Sequence, residues 1–276
     1  MGLKKTPTVS EGDLLKSLRT LVEDNEDIVK SGIDINDVFL MAFIKGRKHN
    51  VTVAYKTIQK YVDVRRRKYV QFFSKLSPMS LIYMYDLPRF MAVLKERDPR
   101  TGCLVVVLRP PKDLSAVGSP FEDVLSLCAL AIDEFVYMDE VVNNGLIVVA
   151  CGEGFGLTHM KELTPGRMKM TVDITYNAYP FYLKQVHVVQ CSTFFNATMN
   201  IVKPFLPRKV RERIVIHKTL ESFHEAFSPD VVPSWLGGNR SEEDDWEVYD
   251  YTLDRSSLDR TEYYEKLAMK LEESIN

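Results

Sequence analysis

No apolar run in this 276-residue chain approaches the roughly 20 residues that cross a bilayer as a helix. The opening stretch, MGLKKTPTVSEGDLLKSL, lacks the apolar centre of a secretory signal. These absences set the expectation of a cytoplasmic protein with no transmembrane segment. An excess of one charge sign is also missing. Lys+Arg number 36 against 38 Asp+Glu, a formal net charge of −2, which argues against nucleic acid as a partner. Electrostatic attraction must then come from local patches. The 4 cysteines, Cys103, Cys128, Cys151 and Cys191, form no C-x-x-C pair, so they read as buried, reduced thiols rather than zinc ligands or a disulfide framework.

Catalytic signatures are scarce too. The chain has no H-E-x-x-H and no G-x-S-x-G. His159, His187, His217 and His224 lack paired metal spacing and read as structural histidines. Cys151-Gly152-Glu153-Gly154-Phe155-Gly156 follows an apolar strand, as a dinucleotide turn would. However, Leu157 stands where its third glycine belongs, and no Walker lysine follows. The expectation is a non-enzyme with no metal, no cofactor and no catalytic residue.

The informative stretch is 176–218. An apolar strand leads into an almost wholly apolar helix that ends at proline, then a basic cluster, then a second apolar strand. Phe195, Met199, Val202 and Leu206 share one helical face. Phe194, Thr198, Ile201 and Phe205 share the adjacent face. Only Asn196, Asn200 and Lys203 form a polar stripe. A helix apolar around most of its circumference is either deeply buried or covers something greasy. Arg208, Lys209, Arg211 and Arg213 follow at once. An apolar flap beside a cationic patch suits a protein that handles lipids at an anionic membrane.

Around this stretch the first third reads as helical. Ser10, Asn36 or Asp37, and Thr52 are candidate caps, and the third helix ends in Arg65-Arg66-Arg67-Lys68, which reads as a solvated helix end. Strand-like runs follow at Cys103–Leu108, Leu146–Cys151, Gln185–Cys191 and Ile214–His217, with helices between them. Ser119-Pro120-Phe121-Glu122 has the form of a capping box, and another helix runs from Thr164-Pro165 toward Tyr179. Alternation of strands and helices predicts an α/β domain with a mainly parallel, twisted sheet. An acidic stretch, Ser241 to Asp250, precedes a last helix from about Ser257 to Ser274. Gly2 and Thr6 also fit the short N-myristoylation pattern.

Over roughly residues 10–240 the chain resembles the CRAL-TRIO (Sec14-like) lipid-transfer family. Asn36-Asp37-Val38-Phe39-Leu40 through Phe43-Ile44-Lys45-Gly46-Arg47-Lys48 is similar to its D-x-F-L-x-x-F-L-R-A-R-K-F motif. Tyr179-Pro180, with Leu183-Lys184-Gln185-Val186-His187, resembles Y-P-x-x-L-K-x-I-H. Phe195-Asn196-Ala197, with Val202-Lys203-Pro204-Phe205-Leu206, resembles F-N-x-x-x-x-x-x-K-P-F-L. Among its branches the chain looks most like the tocopherol-transfer and retinaldehyde-binding group. Two motifs depart from the pattern. Cys151-Gly152-Glu153-Gly154 replaces D-L-E-G, and Val232 to Gly238 loosens L-P-x-E-Y-G-G.

The resemblance implies an N-terminal helical lobe (1–75), an α/β lipid-binding lobe (76–240) and an acidic segment with a C-terminal helix (241–276). It implies a soluble carrier, peripheral to membranes, that holds a tocopherol-, retinoid- or carotenoid-like lipid in an apolar cavity behind a gate helix. A lipid-sensing adaptor that recruits a protein partner is the alternative. The implied lining is Leu125, Cys128 and Ile132 from one helix, Leu146, Val148 and Ala150 from a strand, and Ile174, Leu183 and Val186 beyond it. Phe195, Met199, Val202 and Leu206 form the gate's inner face. Arg47, Lys184, Lys209 and Arg213 match the family's phosphoinositide-binding positions, while Tyr182 stands where some relatives carry another cation.

Overall fold

The computed structural model describes residues 10–87, 90–109, 111, 114–241 and 256–273. The myristoylation pattern and nearly all of the acidic stretch lie outside the described residues.

Five helices open the chain: α1 (Glu11–Glu23), α2 (Glu26–Val29), α3 (Asp37–Gly46), α4 (Val51–Asp63) and α5 (Val70–Phe73). The side chains of Ser10 and Asn36 accept the Asp13 and Phe39 N–H groups at 3.2 and 3.0 Å, satisfying donors that a helix start leaves open. The third cap differs from expectation. Asn50, rather than Thr52, accepts the Val53 N–H at 3.0 Å.

The α/β lobe contains β1 (Met91–Val93), β2 (Leu104–Leu108), α6 (Pro120–Phe135), α7 (Asp139–Asn144), β3 (Leu146–Cys151), α8 (Leu157–Glu162) and α9 (Pro165–Val172). It continues with β4 (Leu183–Val189), α10 (Thr193–Val202), α11 (Arg208–Arg211), β5 (Ile214–Ile216) and α12 (Leu220–His224). The C-terminal helix α13 spans Ser256–Glu273. At the start of α6 the capping box is rearranged. Asp123, not Glu122, reaches back and accepts the Ser119 N–H at 2.8 Å.

The sheet runs in order β1-β2-β3-β4-β5, with β1 antiparallel and the other pairs parallel. Val106, Val148, Val186 and Ile214 are in register across it. Both faces are covered at β2 and β3, which is why these strands read as continuous apolar runs. Leu104, Val106 and Leu146 join the core shared with α6 and the N-terminal helices. Val105, Val107, Ile147, Val149 and Cys151 pack on the other side with Phe223, Phe227 and Leu236.

A buried polar cluster joins the lobes. After α4 the chain makes a π-turn, Val64–Lys68, which turns Arg65 inward. The expectation of a solvated helix end therefore fails at Arg65, whose side chain is 1% exposed. Its Nη2 donates to Asp133 Oδ1 at 2.5 Å and to the Tyr179 hydroxyl at 2.7 Å. Tyr61 and Tyr179 donate to the same carboxylate at 2.9 and 2.6 Å, and Tyr264 of α13 reaches its other oxygen at 3.3 Å. The guanidinium lies 3.5 Å from the Tyr61 ring centroid, a cation–π contact. Nearby, Lys68 and Lys169 both pair with Asp173. Burial alone would raise the Asp173 carboxyl. Hydrogen bonds from Lys169, Lys68, Asn177 and Tyr69 outweigh it and hold the group well below the usual carboxylate range.

On the opposite sheet face, His187 Nδ1 and His217 Nε2 are 2.8 Å apart. His187 Nε2 lies 3.3 Å from Gln185 Oε1, an acceptor, so the ring donates there. His187 Nδ1 then accepts from His217 Nε2, and His217 Nδ1 accepts from the Ser222 hydroxyl at 3.1 Å. Both rings are neutral in this arrangement. Burial, followed by repulsion from His217, pushes His187 down to about 4.

Removing Asp133 leaves an unpaired buried cation, so Asp133→Ala should cost about 3–5 kcal/mol in urea unfolding. An unfolded histidine takes a proton near pH 6.5, whereas folded His187 does so near 4. Stability should therefore fall as pH drops through that window. A urea midpoint series across it should show a decline that His187→Gln reduces.

Candidate functional site

A cavity of about 260 Å³ lies between the sheet and the helices α6 and α9. Its floor is Met91, Val106, Leu108, Leu146, Val148 and Leu183, and α6 contributes Cys128, Ile132 and Phe135. Tyr179 and Phe181, stacked with centroids 5.5 Å apart, close one end. The remaining wall is Thr171, Thr175 and Tyr176. The volume lies just below the roughly 300–1,000 Å³ of sites for drug-sized ligands, so a larger guest must displace side chains or the covering helix.

The helix α10 packs against α8 and α9. Ser192 caps it: its Oγ accepts the Phe195 N–H at 3.0 Å and donates to the Phe155 carbonyl at 2.8 Å. The Phe195 ring meets Phe155 edge-on at 5.3 Å. Thr198 and Val202 are buried, and Phe195, Met199 and Leu206 are half-buried. The adjacent face is apolar as well. Phe194, Ile201 and Phe205 are 46%, 44% and 39% exposed, and Ile216 of β5 is 43% exposed. The helix stops at a 3₁₀ turn, Lys203–Phe205, where Pro204 supplies no N–H donor.

Just before β4, Tyr182 projects an exposed ring between cations. Arg213 lies 4.3 Å from its centroid and Lys184 5.8 Å. Arg213 is anchored by donating to the Leu183 carbonyl at 2.6 Å. Lys184 and Lys209 are exposed. Arg47 sits differently, at the junction of the lobes. Its guanidinium donates to Thr57 Oγ1 at 3.0 Å and to the Pro180 and Tyr179 carbonyls at 2.8 and 2.5 Å. Burial lowers its pKa. The same junction needs Gly46: a Cβ there would sit 2.2 Å from the Pro180 oxygen, which explains glycine where the family motif has alanine.

The CRAL/TRIO domain model matches residues 87–238, more than half of the chain. The chain belongs to the CRAL/TRIO domain family. Within this lipid-binding and lipid-transfer family, an alpha-tocopherol transfer protein-like protein of Mus musculus is 27% identical over 231 residues, covering 83% of this chain and 66% of the relative. The Homo sapiens protein of that name is 28% identical with the same coverage. Clavesin-1 of Xenopus laevis is 25% identical over 237 residues, covering 86% of this chain and 70% of the relative. The chain thus spans about two thirds of the length of these relatives. The crystal structure of Sfh5 aligns with a TM-score of 0.50 at 14% identity, covering 93% of this chain and 100% of that one, and supports the CRAL/TRIO fold.

Within this CRAL/TRIO cavity the structure brings together Cys128, Ile132, Leu146, Val148 and Leu183 from the implied lining. Leu125 and Ile174 are instead buried in the core. Ala150 and Val186 share the sheet face of Val148 but lie outside the cavity wall, as do Phe195, Met199, Val202 and Leu206. Ile174 misses the wall because α9 continues into a π-turn, Asp173–Asn177. Its i→i+5 bonding shifts the phase of the helix. Thr175 and Tyr176 turn toward the cavity instead. A scan for apolar lining passes over hydroxyl residues, although Thr171 and Thr175 at i,i+4 already mark one face.

Burial pushes the Cys128 thiol up to about 12, so it stays neutral at working pH. Alkylation by iodoacetamide at pH 8, read by peptide mass spectrometry, should be at least tenfold slower at Cys128 than at a free thiol.

Proposed function

We propose that this chain is a non-enzymatic carrier. It holds a small tocopherol-, retinoid- or carotenoid-like lipid against the sheet and exchanges it at anionic, phosphoinositide-containing membranes. The observation that carries the reading is α10, apolar on two adjacent faces. It packs on α9, beside which lies a cavity with almost wholly apolar walls, and the cations Lys209 and Arg213 follow it in the chain.

The energetics fit. Each buried methylene is worth about 0.8 kcal/mol, so a lipid of a dozen or so carbons resists leaving a bilayer by about 10 kcal/mol. A carrier must offset this with a comparable apolar pocket, then open it. The outward side chains Phe194, Ile201 and Phe205 give α10 something to gain at a membrane: full burial of such a side chain is worth about 1.5–3 kcal/mol, and the exposed part of each still has its share of that to gain. Lys184, Lys209 and Arg213 add about 1 kcal/mol each near an anionic surface. The Tyr182 ring sits among these cations where some relatives carry a further one. Arg47, held by backbone carbonyls, belongs to the lobe junction in this closed form and reaches a headgroup only by giving up those bonds.

In this reading, docking draws α10 toward the bilayer, which opens the cavity to lipid. The carrier works in the cytoplasm as a peripheral membrane protein. The test is transfer of a fluorescent lipid between vesicles. Lys209→Ala with Arg213→Ala should slow transfer to anionic acceptor vesicles about tenfold, with solution affinity nearly unchanged. Phe194→Ser with Ile201→Ser should slow transfer to neutral vesicles as well. Unchanged rates, or a large loss of solution affinity, would contradict this division of labour.

A further inference from the structure

The first turn of α10 rests on a seat built by the turn between β3 and α8. A Cβ at Gly152 would lie 3.0 Å from Phe195 Cγ, 3.1 Å from the Cys191 Cα and 3.2 Å from the Gln190 carbonyl oxygen. Non-bonded carbon atoms rest roughly 3.5–4.0 Å apart, so the Phe195 ring occupies space that a side chain at 152 would need. Gly152 stands in place of the leucine of D-L-E-G, which leaves that space to the ring. Phe155 supplies the other side of the seat. It meets the Phe195 ring edge-on at 5.3 Å, and its carbonyl accepts the Ser192 hydroxyl at 2.8 Å. Phe155 is backed in turn by the His159 ring, 5.1 Å away. His159 Nδ1 accepts the Gly156 N–H at 3.1 Å and Nε2 donates to the Pro111 carbonyl at 2.7 Å, so the backing is fixed at both nitrogens. One turn further along α10 the fit is poorer. Thr198 is 4% exposed, and its hydroxyl has no hydrogen-bond partner among the described residues. A hydroxyl buried in this way gives up its bonds to water and gains none in return.

We propose that Gly152 and Thr198 set how readily α10 lifts from the domain, in opposite directions. This rests on the carrier reading and names the residues that time its exchange step. Gly152 lets the Phe195 ring seat, which holds the helix down. Thr198 leaves the closed position incompletely satisfied, because lifting the helix returns its hydroxyl to water. Gly152→Ala presses on the ring and on the Gln190–Cys191 turn that enters α10, so it favours the lifted form. Thr198→Val keeps the side-chain shape, removes the unpaired hydroxyl and favours the closed form. Neither residue lines the cavity, so both act through the helix and not by touching the guest.

The test is hydrogen–deuterium exchange of the full chain, read by mass spectrometry on peptides of α10, since amide exchange reports how often a helix opens. Gly152→Ala should speed exchange in α10 about tenfold, the effect of a modest overpacking. Phe195→Ala, which empties the seat from the other side, should speed it by a comparable factor. Gly152→Ala added to Phe195→Ala should then change it by less than about twofold, because the clash has lost its partner. Thr198→Val should slow it about fivefold, and Thr198→Ser, which keeps the hydroxyl, should not slow it. Exchange in β2 and β3 should stay at the wild-type rate throughout. Transfer of a fluorescent tocopherol between vesicles should rise and fall with exchange in α10. Wild-type exchange of α10 in Gly152→Ala, faster exchange over the whole chain, or no slowing in Thr198→Val overturns the proposal and leaves the carrier reading standing. Exchange in α10 that shifts as stated while transfer does not follow supports the seat and contradicts the carrier reading's gate.

Discussion

Asp133 accepts hydrogen bonds from donors on separate parts of the chain: Arg65 and Tyr61 of the N-terminal lobe, Tyr179 just before β4, and Tyr264 of α13. A buried ion pair of this kind adds little stability over an apolar substitute, because desolvating two charges costs several kcal/mol. Its effect is on arrangement. A carboxylate in the core must be matched, and these elements match it only when packed in this order. Tyr179 carries the constraint to the ligand site. The ring that closes one end of the cavity is the ring whose hydroxyl is fixed between Arg65 and Asp133. Arg47 bonds the carbonyls of Tyr179 and Pro180, so the lobe junction and the cavity wall share one short segment.

Around this fixed point the rest divides by stiffness. The central strands β2 and β3 are buried on both faces and supply a stiff floor. The helix α10 is anchored at its start by Ser192 and at its end gives way to a proline-containing 3₁₀ turn. Its apolar residues are split between an inward and an outward side. A helix with apolar surface in two directions can exchange one apolar environment for another at modest cost, as a gate requires. The cations beside it orient that exchange toward an anionic surface.

Much of the fold was legible in the sequence, because β2 and β3 are continuous apolar runs and α10 has an unmistakable apolar surface. The three-residue β1 was not, since Met91–Val93 is too short to show a period. Arg65 was misread because a run of cations looks solvated, and its partner Asp133 stands 68 positions away. No local pattern links the two. Ile174 was expected at the cavity from the family resemblance, whereas the π-turn at Asp173–Asn177 leaves it buried in the core. The same turn brings Thr175 and Tyr176 to the cavity wall. Arg47 was recognised as a family position, but its present carbonyl partners depend on Pro180 and on the missing side chain of Gly46.

The account stands or falls on whether the cavity holds a lipid. Native mass spectrometry of the folded protein, before and after incubation with lipid vesicles, measures this directly. The account predicts a species heavier than the bare chain by the mass of one apolar lipid, reverting to the bare mass when lipid-free anionic acceptor membranes compete for it. The bare chain alone, both as purified and after exposure to lipid, would contradict it.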